Sequence, residues 1–176
     1  MKLFKRISCY FDRISYEIRI IRRKHTLIFM GIFLLLGIFS WILGGKTDRV
    51  MLLYSFPRSA IGIGFMFILW GFSFMFCGCI FAGIAFSCER YRRHISQKIC
   101  LYIILMQLFT LIAYPLFFGA IAPFIAFLSL IISIFFCIMA ILSSIKFFTL
   151  WTVFLSVHIL WLFYNAYICL AFILIN

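Results

Sequence analysis

Only one acid–base group stands inside an apolar run of this chain, His158, since Asp12, Glu17, Asp48 and Glu89 all lie outside such runs. A proton- or sodium-coupled pump usually needs ionisable groups within the membrane, so one histidine reads first as a hydrogen-bonded packing residue. Cys77-Gly-Cys79 lacks the CxxC spacing, and no histidine is near it in sequence. Cys9, Cys77, Cys79, Cys88, Cys100, Cys137 and Cys169 fall mostly in apolar runs and read as small buried hydrophobes. His25, His94 and His158 have no metal-site spacing. Motifs for hydrolysis or phosphoryl transfer are missing as well. What remains is aromatic surface with a few neutral polar points: Trp70, Trp161, Tyr164, Asn165, Thr110, Gln107 and Ser129. Such walls suit a flat hydrophobic ligand.

The elements that must position these groups are membrane spans. The 176 residues are 67% hydrophobic, with 25 phenylalanines and a mean hydropathy of +1.22. A soluble domain of this size has too little interior for that much apolar surface. The expected class is an all-α integral membrane protein, a bundle of five transmembrane helices preceded by a basic amphipathic interfacial helix.

The organising stretch runs from Pro57 to Phe86 and carries no charge after Arg58. At about 1.5 Å per residue it crosses a hydrocarbon core of roughly 30 Å with length to spare. Gly64, Gly71 and Gly78 recur every seven residues, close to two turns, and form a small-residue stripe for close helix packing. Phe67, Trp70 and Phe74 lie beside it at spacings of three and four. This helix is expected to be the bundle's central wall, with Trp70 facing an internal pocket.

Before it, residues 2–24 set an apolar stripe (Leu3, Phe4, Ile7, Tyr10, Phe11, Ile14, Ile18, Ile21) among eight of the 16 basic residues. A helix in the membrane surface is the expectation for segment 1–25; a partner-docking helix or a disordered tail are the alternatives. A cleaved signal peptide is not expected, because no small-x-small site follows the apolar run. The transmembrane domain then covers 26–176, with spans at about 26–43, 59–87, 99–118, 123–145 and 147–175. After Lys98 no charge occurs for 47 residues, about 70 Å as one helix, so the chain must fold back. Tyr114-Pro115 disfavours continued helix, Gly119 supplies a turn, and Pro123 opens the next span. With the N-terminus inside, thirteen of the 16 basic residues face the cytoplasm, which predicts N-terminus in and C-terminus out. Nucleic acid is not an expected partner, since no separate basic domain exists.

Pro115-Leu116-Phe117-Phe118-Gly119, followed by Pro123 and Ala126, resembles the third-to-fourth helix junction of the TspO/MBR family. These are the tryptophan-rich sensory proteins and the translocator (peripheral benzodiazepine receptor) proteins. Trp161, Tyr167 and Asn176 follow that family's fifth helix, Trp70 and Gly78 its second, and Gly44-Gly45 the end of its first. The resemblance spans Thr26 to Asn176. The chain departs from the family pattern at Val50-Met51, Ile61-Gly62, Thr110, Ala113, Ser129 and Val157-His158.

The resemblance implies a pocket near one end, lined by helices two, three and five and closed by the first loop. It implies a receptor or sensor that binds a porphyrin or similar flat molecule at Trp70, Phe74, Thr110, Trp161 and Asn165, with roles in tetrapyrrole transport or breakdown. Trp70 and Trp161 would be the catalytic pair in light- and oxygen-dependent porphyrin degradation. No resident cofactor or metal is expected, the ligand being protoporphyrin or haem-like. Expected partners are membrane lipid, the hydrophobic ligand and a second copy of the chain, in a bacterial inner membrane. The alternative is a small accessory subunit whose pocket is vestigial.

Overall fold

The computed structural model describes residues 12, 14, 15, 23–45, 50, 54–57, 60–86 and 93–176. Most of the expected basic surface helix, the charged part of the first loop and the Cys88–Arg92 connection lie outside them. The described residues form five long apolar helices: α1 (Arg23–Gly44), α2 (Ile63–Phe86), α3 (Arg93–Tyr114), α4 (Pro123–Ser144) and α5 (Thr149–Ile175). Each is long and apolar enough to cross a membrane. The chain is a multi-pass helical membrane protein, and its lipid-facing surface is dense with exposed Leu, Ile and Phe.

Neighbours in sequence pack as pairs, α1 on α2, α3 on α4 and α4 on α5, while α2 also touches α3 and α5. The organising stretch thus packs on three other helices, while Phe65, Ile68 and Phe72 on it stay exposed. Its glycine stripe is graded. A Cβ on Gly78 would sit 2.6 Å from the Phe29 carbonyl oxygen and 2.9 Å from Met30 Cα, so two backbones touch there. At Gly71 only a Leu34 methyl comes near, at 3.4 Å, and at Gly64 nothing lies within 4 Å. Seven residues fall slightly short of two full turns, so a straight partner helix cannot follow such a stripe over its whole length.

Three boundaries differ from the sequence expectation. Helix α2 opens at Ile63, not beside Pro57. The Gly62 carbonyl accepts its first amides, from Phe65 and Met66, and Ile61 N–H is drawn instead to the Tyr164 hydroxyl at 3.1 Å. Helix α3 starts at Arg93, six residues before Ile99, because its polar first turn continues the helix beyond the apolar run. At its other end Pro115 does not stop the helix but converts it to a π turn, Pro115–Gly119. Proline has no N–H, so the Leu111 carbonyl loses its ordinary donor. Ser40 Oγ of α1 supplies one, at 2.7 Å.

The turn that follows is made by Ile121, at φ 54°, a left-handed conformation strained for a β-branched residue. Gly119 serves another purpose: a Cβ there would lie 3.1 Å from the Leu43 carbonyl oxygen. It lets the end of α1 approach the π turn. Pro123 then opens α4 as expected.

Buried hydroxyls pair throughout the bundle. Thr110 Oγ1 meets Ser133 Oγ at 2.7 Å between α3 and α4, and Ser144 Oγ meets Thr152 Oγ1 at 2.8 Å between α4 and α5. Ser129 Oγ donates to the Phe109 carbonyl at 2.7 Å, and Ser96 Oγ to that of Ile84 at 2.8 Å.

The graded stripe gives a direct test. Gly78→Ala is expected to destabilise the detergent-solubilised protein by about 1–3 kcal/mol, the usual range for overpacking. Gly64→Ala should stay within about 0.5 kcal/mol of the parent. Equal thermal shifts for the two variants would contradict the backbone contact at Gly78.

Candidate functional site

Residues from α2, the end of α3, α4 and α5 enclose a small cavity whose walls include Trp70, Tyr114, Phe117, Phe118, Leu130 and Asn165. Trp70 is 4% exposed. Its ring packs on Phe74 and Tyr114 at centroid distances of 5.7 and 5.3 Å. Tyr114 in turn stacks on Trp41 at 4.3 Å and meets Phe118 at 4.5 Å. The wall is therefore a continuous aromatic sheath. Trp70 Nε1 is buried and has no acceptor. Asn165 is buried and points its amide nitrogen at the Trp161 carbonyl, 2.7 Å away. The cavity is only about 30 Å³, room for little more than a water.

A short segment of the first loop packs on Phe117 and Phe118 as a roof over this end of the bundle. Phe56 stacks on Phe118 at 6.4 Å and meets Phe172 edge-on at 5.2 Å. The roof is clasped by Asn176, whose side chain accepts from Ser55 N–H at 3.0 Å and donates to the Ser55 carbonyl at 2.9 Å. Tyr164 O–H holds the far side of the same segment through Ile61. Nothing in the sequence marked Asn176 or Tyr164 as clasps, because each partner lies more than 100 residues away.

The five residues singled out from sequence do not all converge. Trp70 and Asn165 share the roofed cavity. Phe74 is fully buried against α1, where a Cβ on Gly37 would lie 3.0 Å from its ring. Thr110 is consumed by Ser133 and the Met106 carbonyl. Trp161 stacks on Tyr164 at 5.6 Å and borders a different space, a groove of about 380 Å³ between α2 and α5. Trp70 and Trp161, expected to meet across one cleft, border two different spaces. The cause is rotational. Residues four apart on a helix differ by about 40° around its axis, enough to send Asn165 inward and Trp161 to the groove.

The sequence also did not place Cys77 beside His158. In the fold Cys77 Sγ lies 3.3 Å from His158 Nε2, both fully inside the bundle. Gln107 of α3 lies beside the same thiol, outside hydrogen-bonding geometry. Among the described residues no three His, Cys, Asp or Glu side chains come together as a metal site. Comparison with family models, characterised proteins and solved structures gives no match for this chain.

The clasp is testable by hydrogen exchange. Asn176→Ala removes both bonds to Ser55, and each is worth about 0.5–1.5 kcal/mol at most at an exposed site. Exchange at the Ser55 and Phe56 amides should quicken by roughly three- to tenfold. Unchanged exchange would show that aromatic packing alone holds the roof.

Proposed function

We propose that the protein is a TspO/MBR-like membrane receptor or sensor that takes a flat hydrophobic ligand of the porphyrin kind into the roofed end of the bundle. The observation that carries this reading is the convergence of Trp70 and Asn165, from α2 and α5, on one aromatic-walled cavity, whose Phe117 and Phe118 also carry Phe56 of the first loop. An indole N–H without an acceptor offers a ligand carbonyl, carboxylate or ring nitrogen a hydrogen bond that the protein does not use itself. Aromatic contacts add about 0.5–1.5 kcal/mol each beyond area burial.

Ligand pockets usually measure about 300–1,000 Å³, so a cavity of about 30 Å³ describes a closed state. Entry requires the clasped roof to lift and Phe117 and Phe118 to swing aside. Binding is therefore expected to be slow to begin, with an on-rate set by the roof.

That same small volume favours the second reading, an accessory subunit whose pocket has closed. Protoporphyrin titrated in detergent and followed through tryptophan emission separates the two. The receptor reading expects saturable quenching, weakened roughly tenfold or more in Trp70→Leu while helicity is retained. Absence of saturation, together with co-purification of a stoichiometric partner, selects the accessory subunit.

A further inference from the structure

Inside the bundle, α2, α3 and α5 each bring one polar side chain to a single point that the receptor reading leaves unused. Cys77 Sγ lies 3.3 Å from His158 Nε2, and the two residues are 0% and 2% exposed. Gln107 stands beside the same thiol. It is 4% exposed, and neither its Nε2 nor its Oε1 has a partner. Thr110 and Ser133, by contrast, share one hydrogen-bonded network with the Met106 carbonyl. A buried amide with both ends unpaired, set against a thiol and an imidazole, calls for a function beyond packing.

We infer that Cys77 and His158 are the ligands of a copper(I) site, with Gln107 as its positioning residue. The ion takes the place of the proton between thiol and imidazole. The Cys77 S–H bond breaks and its proton leaves to solvent, S–Cu and Cu–Nε2 bonds form, and no electron is transferred. Thiolate and ion cancel in charge, and His158 stays neutral with its proton on Nδ1. The filled site therefore adds no net charge to a water-free interior. Zinc on the same two ligands would leave one positive charge there. It would also lack further donors, since among the described residues no third His, Cys, Asp or Glu joins the pair. A soft monovalent ion binds with two ligands, and thiolate and imidazole both suit it. With bonds of about 2.3 and 2.0 Å, a straight S–Cu–N arrangement needs about 4.3 Å between the donors. That is about 1 Å more than the 3.3 Å found, which small side-chain rotations supply. Gln107, already beside the sulfur, then donates its amide N–H to the thiolate.

His158 also lines the groove of about 380 Å³ between α2 and α5. The same wall holds three sulfur donors, Met30, Met75 and Cys79, so an ion moving inward passes from sulfur to sulfur before it reaches the imidazole. Cys79 sits about 200° round the helix from Cys77 and so belongs to the approach, not to the site. The inference does not rest on the porphyrin reading, since neither ligand lines the roofed cavity.

The test uses the full chain in dodecylmaltoside micelles without oxygen, with copper(I) supplied as its coloured bicinchoninate complex. The parent is expected to withdraw one copper per chain, and X-ray absorption to show one sulfur and one nitrogen neighbour. Cys77→Ser, which keeps a hydroxyl toward His158, and His158→Gln should each weaken binding roughly a hundredfold or more. Gln107→Leu should weaken it roughly tenfold with both neighbours retained. Cys79→Ser should match the parent at equilibrium. No withdrawal by the folded parent, two sulfur neighbours, or full affinity in both Cys77→Ser and His158→Gln overturns the site. If a variant fails to fold, the neighbours of copper in the parent decide. Zinc(II) displacing copper(I) at equal concentration overturns the assignment of the ion. Protoporphyrin quenching that persists when copper binding fails leaves the receptor reading standing while this inference falls.

Discussion

Hydrocarbon offers no hydrogen bonds, so every polar group in this bundle must find its partner inside the chain. That constraint shapes the fold at its weakest point. Pro115 interrupts the backbone ladder of α3, and the structure answers with a π turn and a serine from another helix. Ser40 thereby ties α1 to the far end of α3, and Gly44 and Gly119 let the chains come near enough to do it: a Cβ on Gly44 would collide with the Tyr114 ring. The roofed cavity exists because α3 continues past its proline and carries Phe117 and Phe118 under the first loop.

Against this background the unpaired groups are informative, and they fall into two kinds. Trp70 Nε1, Ser73 Oγ and Trp161 Nε1 all belong to residues that border space. Trp151 Nε1 is also without an acceptor, but its ring fills the gap left by Gly83, and the residue lines none of the three cavities. Its unpaired donor is a local penalty of tight packing, which van der Waals contact offsets. Gln107 sits in the closed interior beside Cys77, where its amide serves the inferred copper site. Position next to a cavity or a donor pair, rather than lack of a partner alone, separates candidate ligand contacts from packing defects.

Much of this architecture was legible in the residues. Long uncharged runs gave the spans, and Pro115 and Pro123 marked the fold-back. The charge-free stretch around Trp70 packs on three other helices, and Trp70 does border a cavity. Less legible was everything that depends on how one helix is rotated against the next. Spacing along α5 places Trp161 and Asn165 a turn apart, but only packing decides that one lines the roofed cavity and the other the lipid groove. Thr110 was readable as a polar point and not as a residue already satisfied by Ser133. The contact of Cys77 with His158 joins residues 81 apart in sequence, and no local pattern encodes it. The strained turn at Ile121 was equally hidden, because glycine at 119 drew attention to the wrong residue.

The central claim is that unpaired donors beside cavities are ligand contacts and that the unpaired donor in closed packing is not. Indole N–H resonances of ¹⁵N-tryptophan-labelled protein report this directly during a protoporphyrin titration in micelles. The account predicts that the Trp70 signal moves downfield to a saturating limit while the Trp151 signal holds its position. A Trp70 signal that stays fixed, or indole signals that all drift together without saturation, would contradict it.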